Sequence, residues 1–406
     1  MKILIVSGTC SPDKYKEIDQ QRCVKLLGPQ QKFFHLLIQG FISAKDVSVK
    51  CLTAVPVSAS SHPKKIWRRE CEEPENNLHY TYLSFINGKI LRFTTLYLST
   101  YFACKKWLKA NKDEPDKVIL CDPLLAHCAV AANRAGKKYG CKTVAIITDL
   151  PQYITSMGIT AGGGIRMFLQ KRYDKFSSKE MERYDAYIFL TAQMNEIINQ
   201  SRQPYLVMEG SVDSAMEDRE NRLEQKERPL SLVYAGGVHE KFGVGKLARA
   251  FVKTNREDVV LKIYGAGEHV DAIQEIEKQD SRIKYMGVAP MEEIVEQEIH
   301  ATLLVNPRPT EEEYTRYSFP SKTTEYMVSG TPVLSTRLPG IPKEYEEHLY
   351  WFEQETEDKM ASRLEEILNK DRQELHRFGL QAKQFVLLEK NNVAQAKKIM
   401  EFIQNV

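Results

Sequence analysis

Three loops in the second half of this 406-residue chain carry residue types that can hold a phosphorylated ligand. The first is residues 234–243 (YAGGVHEKFG), between an apolar run and a segment of helical spacing. Gly236 and Gly237 let the backbone approach a diphosphate, the start of the following helix is electropositive, and Lys241 adds a point charge. The second is residues 263–268 (IYGAGE), with Gly265 and Gly267. The third is residues 318–333 (SFPSKTTEYMVSGTPV). Pro320 and Ser321 suit a helix start, Gly330 suits its end, and the early amides can bind phosphate or sugar oxygens. Glu325 can accept hydrogen bonds from both hydroxyls of a ribose. Plainer readings stay open for all three: a tight strand-to-helix turn, a Gly-x-Gly without the full dinucleotide pattern, and a capped core helix with a surface glutamate.

These loops need a scaffold that presents them together. Residues 2–6 (KILIV) form a short apolar run ending in Ser-Gly, as a buried parallel strand does. Similar runs recur at 47–55, 118–121, 143–148, 186–190 and 205–208, with helical spacing at 28–42, 124–139 and 165–184. A second series follows at 230–235, 259–264, 283–286, 301–306 and 332–335. Alternating strands and helices predict parallel sheets wrapped by helices, whose ligands bind beyond the carboxyl ends of the strands. Residues 214–229 are polar and charge-rich, which predicts a linker. The predicted domains are 1–213 and 214–385, with a terminal helix at 386–406 packing back on the first domain.

The halves differ in charge. Residues 1–210 hold 30 Lys+Arg against 19 Asp+Glu, giving +11; the remainder holds 27 against 35, giving −8. All eight cysteines precede residue 142, without a C-x-x-C pair, and are read as reduced, mostly buried thiols. The start, MKILIVSG, reads as a strand and not a signal peptide. The longest uncharged stretch of the apolar 85–108 region is twelve residues, against about 20 for a membrane span. The expected location is the cytoplasm, with peripheral contact at the inner membrane face.

SFPSKTTEYMVSGTPVL, with YAGG, IYGAGE and YMGVAP in the same order, resembles the donor-site landmarks of retaining glycosyltransferases of the large family four, the group 1 type of bacterial polysaccharide biosynthesis. The resemblance is specific across 230–345. It implies the GT-B fold: two Rossmann-like, doubly wound α/β domains facing each other across a cleft, the first taking the acceptor and the second the nucleotide-sugar. It implies that Glu325 holds the ribose and that Val288 lies where the family holds the base through its backbone. Tyr317 stands where the family has a first glutamate, and the amides of residues 319–322 (Phe319, Pro320, Ser321 and Lys322), with Ser318, are the candidates to replace it. Gly237 stands where the family has an arginine; Lys241, Arg308 or Lys322 would supply the cation. In the first domain, the loop ending at Asp13, the helix start at Gln30 and Gln31, Asp122 after the 118–121 strand and Asp149 after the 143–148 strand are the acceptor-side candidates. Asp149 would orient the acceptor or act as a weak base. Each aspartate equally suits a turn cap.

The implied reaction is sugar transfer from a nucleotide-sugar, most simply a UDP-sugar, to a hydroxyl of a glycan or lipid-linked acceptor, with retention. No D-x-D triplet occurs, so neither a metal nor another cofactor is expected. Amides and cations would stabilise the leaving diphosphate. Basic and aromatic residues at 64–69 (KKIWRR, with Trp67) and 85–109 suit an anionic membrane surface, or else a core helix with a solvated end. No nucleic-acid motif accompanies the charge. Two alternatives remain: a nucleotide-sugar 2-epimerase, and a degenerate GT-B subunit supporting an active transferase.

Overall fold

The chain was described from a computed structural model that covers residues 1–23, 29–75, 77–88, 91–150, 172, 175–176 and 178–406. It divides into two units, residues 1–211 with 392–406, and residues 212–391.

The first unit begins with β1 (Lys2–Ser7), whose Ile3, Leu4, Ile5 and Val6 are wholly buried. Helices α1 (Pro12–Gln20) and α2 (Pro29–Ile42) lead to β2 (Ser48–Thr53). An excursion follows: β3 (Ile66–Trp67), β4 (Glu70–Glu75), β5 (Leu78–Tyr82) and β6 (Phe85–Ile86). Then come α3 (Leu91–Ala110), β7 (Lys117–Cys121), α4 (Ala126–Lys138), β8 (Lys142–Ile147), β9 (Ala186–Phe189), α5 (Met194–Ile198) and β10 (Tyr205–Val207). The helical expectation for 165–184 falls mostly outside the described residues. Among those described, the sheet order is β10-β9-β8-β7-β1-β2-β5-β4. Only β4 runs antiparallel, against β5. A strand so acidic suits an edge, where its charges stay in water. Non-adjacent neighbours such as β1 and β7 require crossovers, so helices cover the sheet and its strands become continuous apolar runs.

The second unit has its own sheet and core. β11 (Leu230–Ala235), α6 (Val244–Val252), β12 (Val259–Tyr264), α7 (Val270–Gln279), β13 (Ile283–Gly287), α8 (Met291–His300), β14 (Leu303–Asn306), α9 (Ser321–Val328), β15 (Val333–Thr336), β16 (Tyr350–Phe352), α10 (Glu357–Leu368) and α11 (Arg372–Glu389) follow in order. The strands are all parallel, in the order β13-β12-β11-β14-β15-β16. The last helix, α12 (Asn392–Asn405), belongs to the first unit, where it packs on α2 and Gln395 Nε2 donates to the Gly210 carbonyl at 2.7 Å.

The stretch expected to be a linker, 214–229, is instead folded onto the second unit. Asn221 and Lys226 are buried in it. Asn221 Nδ2 donates to the Ser329 carbonyl at 2.8 Å, and Lys226 Nζ donates to the Ile299 carbonyl and Thr331 Oγ1, each at 2.7 Å. Carbonyls at the ends of α8 and α9 lack helical partners, and these two polar side chains satisfy them. A polar composition therefore served packing and not solvation. All eight cysteines are free; Cys23 and Cys71 are exposed and six are buried.

Candidate functional site

In the second unit the three loops do converge at the carboxyl edge of the sheet. Ala235 ends β11, and its N–H donates to Tyr326 Oη at 2.7 Å, while that hydroxyl donates to the Ala235 carbonyl at 3.2 Å. Asn306 ends β14, and its Nδ2 donates to Thr323 Oγ1 at 3.2 Å. Helix α9 is thus tied to the ends of two adjacent strands through residues on its buried face. Its start at Pro320 has no side-chain cap, so its first amides remain available. Phe319 and Pro320 are buried, Ser321 is exposed, and Ser318 is half-buried.

The glycines of the second loop have a packing reason. Gly265 sits at φ +133°, and a Cβ there would lie 1.8 Å from the Gly236 carbonyl oxygen. A Cβ on Gly267 would lie 2.0 Å from the Val238 carbonyl oxygen. The loops after β11 and β12 therefore touch backbone to backbone, with Val238 N–H donating to the Ala266 carbonyl at 2.9 Å. Tyr285 Oη closes the group by donating to the Gly265 carbonyl at 2.8 Å. Val288, just beyond β13, is exposed. The side chain nearest a Cβ on Gly237 would be His239, which itself pairs with Glu268.

Lys241 and Arg308 come together across Phe242. The Arg308 guanidinium lies 4.8 Å from the Phe242 ring centre and 5.8 Å from that of Tyr314, and Lys241 Nζ is 5.5 Å from Phe242. Among the described residues neither cation has a carboxylate partner, and the buried Arg308 Nε has no hydrogen-bond acceptor. Lys322 differs, since its Nζ is paired at 2.9 Å with Glu325 on the next turn of α9. Burial works against the charged Lys322, but the charges of Glu325 and Glu298 outweigh it and hold its pKa above the ordinary value. Glu325 therefore presents its carboxylate already oriented, with one cation beside it. Tyr317 is half-buried at the end of a 3₁₀ turn, four residues before α9 begins.

In the first unit the candidates gather at the ends of β1, β7 and β8, with one exception. Gln30 Nε2 donates to Asp122 Oδ2 at 2.8 Å, and Leu124 N–H donates to Asp122 Oδ1 at 3.1 Å. Asp122 is thus a turn cap and a partner of α2 at once. Its burial pushes its carboxyl up to about 7, against the Leu124 bond that lowers it and with the nearby charge of Asp149. Gln31 accepts from Cys10 N–H at 3.0 Å and donates to the Gly8 carbonyl at 2.6 Å, which fixes the loop after β1. Asp149 is exposed beyond β8. Asp13 is the exception: it is an exposed acid in the first turn of α1, where it faces the positive helix end.

The 64–69 and 85–109 segments correct one expectation. Trp67 does not reach the surface. It is 7% exposed, stacks at 5.9 Å on Phe85 and lies beneath Lys64 at 4.4 Å. Pairing of β3 with β6 alternates its faces, which turns Trp67 and Phe85 inward and Ile66 and Ile86 outward. Trp107 is buried too. Among the exposed apolar residues are Ile66 at 62%, Phe102 at 57%, Leu91 at 55% and Leu98 at 46%; Ile66, Leu98 and Phe102 share a surface groove with Arg68 and Arg69. No helix among the described residues is long and apolar enough to cross a membrane.

Comparison with known proteins gives these sites a context. Residues 229–370 match the family model of glycosyl transferases group 1. The whole chain superposes on the sucrose-phosphate synthase of Thermosynechococcus elongatus (TM-score 0.65, 12% identity, 100% of this chain and 99% of that one). It also superposes on the lipopolysaccharide outer core galactosyltransferase WaaB (0.63, 15%, 100% and 99%). A third likeness is to Anabaena Alr3699/HepE in complex with UDP (0.60, 11%, 100% and 100%). No curated protein matches the sequence. At these identities the superpositions show the shared GT-B fold.

Proposed function

We propose that this chain, a glycosyltransferase of the GT-B fold carrying a group 1 domain over residues 229–370, moves a sugar from a UDP-sugar to a hydroxyl of a glycan or lipid-linked acceptor. The observation that carries the donor reading is the pair Lys241 and Arg308, two cations with no salt bridge among the described residues, flanking Phe242 in the loops beside the open start of α9. Cations without a salt bridge and uncapped amides at the carboxyl edge of a parallel sheet favour an anion with several oxygens. A diphosphate fits, and HepE, which shares the fold, was captured with UDP.

In this reading Lys241, Arg308 and the first amides of α9 hold the diphosphate, Glu325 accepts from the ribose hydroxyls, and the backbone at Val288 meets the base. Charge builds on the diphosphate as the sugar–phosphate bond breaks. Donors already in place stabilise it without reorganising, which is where most of the rate enhancement would arise. Metal-independent chemistry follows if those cations suffice. Retention follows if the acceptor hydroxyl attacks from the leaving-group face and passes its proton to the diphosphate oxygen. The exposed Asp149 orients the acceptor, and the buried Asp122, held by Gln30 and Leu124, fixes the strand ends beside it. The exposed apolar residues Ile66, Leu98 and Phe102, in one groove with Arg68 and Arg69, suit an anionic lipid surface.

The test is turnover with UDP-glucose, UDP-galactose and UDP-N-acetylglucosamine, in chelator, against soluble glycans and lipid-linked sugars. Release of UDP that requires an acceptor, with an α-linked product, supports the reading. Saturable UDP binding without turnover on any acceptor would favour a supporting subunit.

A further inference from the structure

A second cavity, wholly within the first unit, has the chemistry of an anion site. We propose that it binds a phosphate group, as monoester or diphosphate, carried by the acceptor. The cavity measures about 350 Å³ and lies between α1, the 64–70 segment and β5. Lys14, Lys64, Arg68 and Arg69 line it with one carboxylate, Glu70, and Lys14 is also paired with Glu17 at 2.9 Å, which leaves three cations. Glu70 is already bound by Lys14 at 2.9 and 3.0 Å. Among the described residues, Lys64, Arg68 and Arg69 have no carboxylate partner.

Beneath the cations lie buried groups that can only donate. Trp67 lines the cavity, and its buried Nε1–H has no acceptor among the described residues. The ring of His62 packs on Trp67 at 5.1 Å. Its Nδ1 accepts from Lys64 N–H at 3.0 Å, so the hydrogen of the neutral ring sits on Nε2, which is buried and also lacks an acceptor among the described residues. Burial, with the charges of Lys64 and Arg22, holds the His62 pKa below the ordinary imidazole value. Arg22 reaches the same wall. Its side chain is fully buried, and Nη2 donates to the carbonyl of Pro56, the neighbour of cavity-lining Val55. Among the described residues its Nε and Nη1 have no hydrogen-bond acceptor, and Nη1 is ion-paired with Asp19 Oδ1 at 3.6 Å.

Buried donors without acceptors are costly, and among the described residues Arg22, His62 and Trp67, which neighbour one another, each carry at least one. A ligand that only accepts, and is negative, meets the unpaired cations of the lining beside Trp67, whose N–H is an orphan, with Arg22 and His62 behind it. Phosphate does so with several oxygens in different directions, which suits donors from three side chains better than a planar carboxylate does. Two sources carry that chemistry: a soluble sugar phosphate and a lipid-linked diphosphate. That the phosphate belongs to the acceptor rests on the transferase reading above; its binding in this cavity does not.

The experiment titrates the full chain with glucose 6-phosphate, with inorganic pyrophosphate, and with phosphatidylcholine vesicles with and without a polyprenyl diphosphate. Tryptophan fluorescence and calorimetry report binding. Arg68→Gln/Arg69→Gln changes only exposed side chains and is compared with the wild type; Trp67→Phe removes the indole donor. We expect affinity for at least one probe to fall about tenfold or more in the double variant, the loss of two charge-assisted contacts. Glucose 6-phosphate weakened in this way assigns a soluble source; vesicles bound only through the polyprenyl diphosphate assign a lipid source. No saturable binding of any probe, or affinities equal in wild type and double variant, overturns the proposal. UDP binding, measured separately, tells failure of the donor reading apart from failure of this one.

Discussion

Replacing Asp122 by asparagine should stabilise the protein, and more so as pH rises. The carboxyl is buried and its pKa lies at about 7, against 3.8 for the free side chain. Between those values the unfolded chain has lost a proton that the folded chain keeps. Stability therefore falls as pH climbs from near 4 to near 7, and is level above that. About three units at 1.36 kcal/mol each is a cost of about 4 kcal/mol at pH 8. Asparagine bears no such cost. Its Oδ1 can still accept from Leu124 N–H, and the Gln30 amide can turn to offer its oxygen to the new Nδ2. The expected gain for Asp122→Asn is about 2–4 kcal/mol at pH 8, or roughly 4–16 °C in Tm for a unit of this size. About half should remain near pH 5.5, and almost none near pH 4. Thermal unfolding followed by tryptophan fluorescence across that range measures it. A variant less stable than wild type at pH 8, or a difference that does not change with pH, refutes a carboxyl held neutral by burial.

Other outcomes are specific to single groups. Arg308→Ala, which removes an unpaired cation, should weaken UDP binding by about 1.5–3 kcal/mol in calorimetry and leave folding intact. Glu325→Gln should weaken binding of UDP by a similar amount while weakening inorganic pyrophosphate little, because pyrophosphate has no ribose; equal losses for both would remove Glu325 from the ribose role. Gly265→Ala should cost roughly 3 kcal/mol or more in urea unfolding, since its Cβ would strike the Gly236 carbonyl oxygen. Leu98→Glu/Phe102→Glu should abolish co-sedimentation with anionic vesicles at low salt. If the double variant still binds them, the exposed apolar face is not the contact.

Alternation of apolar runs with helical spacing was enough to place most of the parallel strands, though not β5 or the short β16, and the Pro320–Ser321 start placed the helix that begins at Ser321. Those strands are buried on both faces, so they read as continuous hydrophobic runs. The excursion β3–β6 was not legible. β4 reads ECEEPE and β5 reads LHYTY; charge and a proline hide an edge strand, and a short aromatic strand beside it has no run long enough to stand out. The 214–229 segment misled for a related reason. Its Asn221 and Lys226 look like solvated polar residues, yet they close carbonyls that become orphans only once α8 and α9 exist. Among the candidate residues, the grouping of Gln30 with Asp122 shows in no spacing, because 92 positions separate them. Phe242 was missed as the ring that holds Lys241 and Arg308 together. An aromatic beside a lysine in a glycine loop was the only available sign. The orphan donors of Arg22, His62 and Trp67 were invisible as well, since lacking an acceptor is a property of the folded surroundings.

The measurement that bears most directly on the central claim is calorimetric titration of the wild-type chain with UDP in chelator, beside GDP and ADP. The account predicts saturable binding of UDP at one site, lost in large part in Arg308→Ala and kept in Arg68→Gln/Arg69→Gln. No binding of UDP, with or without magnesium, or binding indifferent to Arg308, would contradict the donor site built here from Lys241, Arg308 and α9.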